Sequence, residues 1–169
     1  MFIQCRKIIA ILSAATLLGG GANIALAAEH NHSHESHASH AQEAPKLTLN
    51  NGKKWETDDN LRMAMSRIRD ALSAELPAIH SGKATAAQYQ ALVQKTNDQI
   101  AFMVKNCKLE PKADAMLHLL LADIISGADA MAGKDIGNAR KGAEKIAGAL
   151  DNYPTYFAHP GWQGVKAEH

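Results

Sequence analysis

Five histidines stand within eleven residues: His30, His32, His34, His37 and His40, separated by small, polar or acidic neighbours. That spacing gathers several imidazole nitrogens in one short stretch, a donor set for Cu(II), Ni(II) or Zn(II) that fixes no coordination geometry. Protonation near the ordinary imidazole pKa, about 6.5, would release such a metal in mildly acidic surroundings. The rest of the chain carries softer donors, Met65, Met103, Cys107 and His118 foremost among them. A thiolate, thioethers and an imidazole favour Cu(I) over harder ions. Each also has an ordinary role, because methionine fills cores and a lone cysteine packs as a small hydrophobe.

The ladder follows an export signal. Arg6 and Lys7 precede an apolar run from Ile8 to Leu18, and small residues continue to Ala25-Leu26-Ala27. A positive start, a short apolar core and an Ala-x-Ala site define residues 1–27 as a cleavable secretory signal, pointing to the periplasm. The run is too short, and too interrupted by Gly19, Gly20 and Gly21, for a membrane span. Losing Arg6 and Lys7 takes the 18 basic residues to 16, against 17 acidic ones. A nearly neutral chain with few aromatics argues against nucleic acid as a partner. Cys5 leaves with the signal, so Cys107 has no internal partner for a disulfide.

Residues 28–46 show no apolar periodicity and are expected to be disordered. Leu47 to Leu49 and Asn50-Asn51-Gly52 predict an extended arm and a turn. Four helices follow by pattern. The first starts after Thr57 as N-cap and carries Leu61, Met65, Ile68, Leu72 and Leu76 on one stripe. The second opens on the capping-box pattern Thr85 to Gln88 and aligns Tyr89, Leu92, Val93, Thr96, Ile100, Met103 and Cys107. The third begins at Pro111, ends at Gly133, and is the most apolar, with Met116, Leu117, Leu119 to Leu121, Ile124 and Ile125. The fourth starts near Asp135, and its glycines 137, 142 and 148 permit close approach to neighbours. Short connections force consecutive helices antiparallel, which predicts an all-α, up-down-up-down four-helix bundle over residues 47–162 and a disordered tail over 163–169.

That connectivity has a chemical consequence. The start of helix one, the end of helix two, the start of helix three and the end of helix four share a pole. Met63, Met65, Met103, Cys107, Met116, His118 and His159 therefore collect there, with the histidine ladder entering at the same end, while Met131 belongs to the other. Met63 is rotated off the Met65 stripe, and Asp114 stands one turn before His118, placed to hold its ring. Trp55 and Trp162 read as end caps. The expected metal ligands are thus the five leader histidines with Met65, Met103, Cys107 and His118, and the expected cofactor is copper or another divalent transition metal.

An enzyme has no constellation to stand on. Cys-x-x-Cys-His, Gly-x-Ser-x-Gly, His-Glu-x-x-His and a Gly-rich phosphate loop are all absent, and no predicted helix carries the Glu-x-x-His pair of di-iron bundles. The stretches Lys53 to Asp58 with Leu61, Asn106-Cys107-Lys108-Leu109 through Ala113-Asp114 to Leu117-His118, and His159-Pro160-Gly161-Trp162 resemble a group of small exported bacterial proteins with His-rich leaders, described as DnrO-like. The resemblance covers most of the mature chain and implies a helical exported domain without catalytic residues. In architecture the chain is also similar to the cytochrome b562 and cytochrome c′ bundles. That likeness implies non-covalent haem b held by Met63 or Met65 with His159, the last lying beyond Pro154. The expected function is therefore non-enzymatic metal binding, with haem-based electron transfer and a structural or interaction module as alternatives. The expected partners are metal ions, a homodimer and an unidentified protein being open.

Overall fold

The computed structural model describes residues 45–165; the expected export signal and the five leader histidines lie outside them. Four helices account for most of that length: α1 (Asp59–His80), α2 (Ala86–Asn106), α3 (Pro111–Ala132) and α4 (Ile136–Tyr156). Each packs on its neighbours in chain order, and α1 closes the ring against α4. The chain is the expected all-α four-helix bundle.

Local chemistry sets the ends of the helices. Asp58, not Thr57, caps α1: its carboxylate accepts the Leu61 N–H at 2.7 Å. Thr57 is drawn away, because its hydroxyl donates to the Ala158 carbonyl across the bundle end. Thr85 and Gln88 form the capping box of α2, and Asp135 caps α4 by accepting the Asn138 N–H at 2.8 Å. α1 runs through Pro77 to His80, and Gly82 follows with φ +70°, the left-handed region that glycine enters without strain. Before α1, Asn51 (φ 50°) and Gly52 (φ 83°) make a tight turn between Asn50 and Lys53.

The core follows the helical stripes. Leu61, Met65, Ile68 and Leu72 of α1 are wholly buried with Leu92 of α2, Leu120 and Ile124 of α3, and Ile146, Leu150 and Tyr153 of α4. Among the described residues only α3 is long and apolar enough to cross a membrane by length and composition. It carries the longest buried row in the bundle, from Ala113 to Met131. That row is nevertheless narrower than its sequence suggests, since Ile125 is 42 % exposed and Met116 and Leu119 are only half-buried. A helix in a ring of four faces two neighbours, so its outer positions stay in water whatever their polarity.

Of the three glycines expected to allow close approach in α4, Gly142 alone does so, and it meets Gly127 of α3. A Cβ on Gly127 would lie 2.6 Å from the Gly142 carbonyl oxygen and 2.6 Å from Ile146 Cγ1. A Cβ on Gly148 would meet nothing within 4 Å. Gly127→Ala should therefore destabilise the fold by about 1–3 kcal/mol, the ordinary cost of overpacking. Gly148→Ala should raise stability by about 0.5–1 kcal/mol through helix propensity. Denaturant midpoints of the two variants against wild type check both signs.

Candidate metal-binding pole

The antiparallel order brings both ends of the described residues to one pole. Trp55 N–H donates to the Tyr156 carbonyl at 2.7 Å and Ala158 N–H to the Trp55 carbonyl at 2.8 Å, so the arm before α1 pairs in parallel with the exit of α4. Trp55 is buried, and its indole Nε1 donates to the Thr48 carbonyl at 2.6 Å. Asn60 donates to the Asn106 carbonyl at 2.9 Å, joining the start of α1 to the end of α2. Thr48 places its hydroxyl 3.7 Å from Met116 Sδ, bringing the arm onto α3.

Asp58 is the hub. One carboxylate oxygen caps α1, and the other accepts the Lys108 N–H at 2.6 Å in the loop between α2 and α3. The same carboxylate faces the Cys107 thiol and raises its pKa. Cys107 is not on the helix face as the periodicity implied. It is the C-cap of α2, with extended backbone (φ −68°, ψ 142°), and is half-buried. Burial pushes its thiol up to about 11, with Asp58 and then Asp114 reinforcing the shift. Cys107 is thus a protonated thiol at neutral pH.

Beside it a cleft of about 160 Å³ opens between α2 and α3, lined by Met103, Val104, Cys107, Asp114, Leu117, His118 and Leu121. Met103 is almost fully buried at 2 % exposure, whereas the side chain of His118 is 66 % exposed. The His118 Nδ1 lies 2.9 Å from the backbone carbonyl of Asp114 and 3.4 Å from its carboxylate. A hydrogen bond to that carbonyl needs a proton on Nδ1, which in the neutral ring leaves the lone pair on Nε2.

The structure thus brings together three of the four expected bundle ligands. Met65 does not line the cleft: it is wholly buried in the α1 stripe. Met63 is 38 % exposed on the outer side of the same helix. Among the described residues no group of three or more His, Cys, Asp or Glu side chains could hold a metal, so any site here depends on the methionine thioether. His30, His32, His34, His37 and His40 lie outside the described residues.

His159 belongs to a separate aromatic clasp. Its Nδ1 sits 3.2 Å from the Tyr153 hydroxyl, and its ring packs on Trp162 at a centroid distance of 4.9 Å. Trp162 in turn meets Tyr153 edge-on at 4.8 Å and lies under the Arg69 guanidinium at 5.0 Å. Arg69 also donates to the Gln163 carbonyl, and Val165 packs partly buried on the core, so the chain stays on the bundle past Trp162. Sequence patterning missed Arg69 here because its contacts with Trp162 and Gln163 join residues nearly a hundred positions apart. The tryptophans do cap the end as expected. Tyr153 is fully buried, and burial raises its hydroxyl far above the usual range, with Arg62 opposing and Cys107 and Asp58 adding.

No protein-family model, no curated protein and no solved structure matches the chain.

Two outcomes follow from the electrostatics. The thiolate absorbance of Cys107 should titrate at about 11 in the native protein. It should remain raised, though less so, in Asp58→Asn, because burial is the larger cause. His159 is pushed below its ordinary value by burial first and by Arg62 and Arg69 after it. Its folded pKa is the depressed one, so its contribution is complete above about 6.5 and is lost as pH falls through the native value. Denaturation across acid pH should show that loss in wild type and a shallower slope in His159→Gln.

Proposed function

We propose that the chain is an exported, non-enzymatic protein of the periplasm that binds or buffers a transition metal, copper above others. The histidines at 30, 32, 34, 37 and 40 capture the ion, and the α2–α3 cleft offers a second, softer site. The observation that carries this reading is the meeting of Met103, Cys107 and His118 around one cleft, at the pole where residue 45 begins the described chain. A helical bundle supplies rigid walls for such donors, and spaced imidazoles supply fast, unselective capture.

The haem b alternative draws less support from the arrangement. Its methionine candidates are a wholly buried Met65 and an outward Met63, and its histidine is engaged by Tyr153 and Trp162. Axial ligation would require the aromatic clasp to open.

Replacing His30, His32, His34, His37 and His40 together with serine should remove most Cu(II) and Ni(II) binding while leaving the helical circular dichroism unchanged. Equilibrium dialysis of the variant and wild type measures the stoichiometry. Equal stoichiometry in the two proteins would exclude the ladder as the capturing element.

A further inference from the structure

We propose that Cys107 Sγ, Met103 Sδ and His118 Nε2 together hold one Cu(I) ion in the α2–α3 cleft, a site that discriminates against Zn(II) and Ni(II). The inference rests on the metal-binding reading above and adds the ligand set, the oxidation state and the selectivity.

Three observations point to it. First, the three donors come from different places: the last turn of α2, its C-cap, and the second turn of α3. They nonetheless line a single cleft whose other walls are Val104, Leu117 and Leu121, with Asp114 beside His118. An apolar wall around sulfur donors suits a soft monovalent ion, which carries little hydration to lose. Second, His118 is already in the tautomer that a metal requires, with Nδ1 donating to the Asp114 carbonyl at 2.9 Å and Nε2 unoccupied. Third, Asp114 also lines the cleft, but among the described residues no group of three or more His, Cys, Asp or Glu side chains is placed to hold a metal, so a complete set needs the thioether. Zn(II) demands four such ligands in a closed site, or three with water, and thioethers serve it poorly. Cu(I) accepts a thiolate, a thioether and an imidazole in low coordination.

The exchange balances without a redox partner. Cu(I) enters as Cu(I), a Cu–S bond forms to Cys107, the S–H bond breaks, and one proton leaves to solvent. Asp58 keeps the Leu61 and Lys108 amides, so the end of the bundle remains tied when the site is filled.

The test uses the full chain with the five leader histidines replaced by serine, titrated anaerobically with Cu(I) against a coloured chelator, then with Zn(II) and Ni(II). The expected result is one Cu(I) per chain, no competitive Zn(II) or Ni(II), and one proton released per ion below pH 11. Cys107→Ser, Met103→Leu and His118→Gln in the same background should each weaken Cu(I) by about tenfold or more. Met103→Leu conserves volume and keeps the core filled. A readout free of folding effects accompanies it: Cu(I) should shield Cys107 from iodoacetamide in the unsubstituted bundle. Absence of Cu(I) binding by the leader-silenced chain, unchanged affinity in Met103→Leu, or alkylation indifferent to Cu(I) overturns the site. If the wild-type chain still retains Cu(II) in that event, the function through the ladder stands; if it retains no metal, both readings fall together.

Discussion

One carboxylate organises the end of this bundle where its chemistry lies. Asp58 accepts the Leu61 amide that starts α1 and the Lys108 amide of the α2–α3 loop, and its charge bears on the Cys107 thiol. A helix start has unpaired N–H groups that need an acceptor, and a loop closing over a bundle end has the same need. Meeting both with one side chain fixes the position of Cys107 relative to α1, and through Cys107 the mouth of the cleft. The same contact keeps the thiol protonated, because the negative charge of Asp58 opposes a thiolate already disfavoured by burial. Asp58 thus bears on both the position and the reactivity of Cys107, the second together with burial and Asp114.

The two sides of α3 differ in a way that leaves room for the cleft. Against α4, Gly127 and Gly142 let the backbones approach until a single added methyl would collide. Against α2 no such pair exists, and at the pole the interface opens over Met103, Leu117 and Leu121. The opposite wall of the pole is closed by the Trp55–Phe157 pairing and by Tyr153, which stacks on Phe157 at 5.4 Å and meets Trp162. The pole is thus sealed on the α1–α4 side and accessible on the α2–α3 side.

Much of this was legible in the sequence. The three- and four-residue apolar spacing located all four helices, Pro111 and the Thr85 box marked two starts, and short connections fixed the antiparallel order. Met103 and His118 met because of that order. Periodicity erred where a competing contact decided the outcome. Asp58 displaced Thr57 as a cap because Ala158 claimed the threonine hydroxyl, and Cys107 left the helical face because α2 ends at Asn106. Periodicity also placed Ile125 inside, since apolar spacing cannot tell a side facing a neighbour from a side facing water. Arg69's place over Trp162 had no local signal, and only the folded chain brings the two together.

The most direct measurement of the central claim is the metal retained by the full chain. The purified protein would be exposed to equimolar Cu, Zn and Ni, challenged with a competing chelator, and analysed for metal by mass spectrometry. The account predicts retained copper in excess over zinc and nickel. A protein that emerges from the challenge free of all three metals would contradict it.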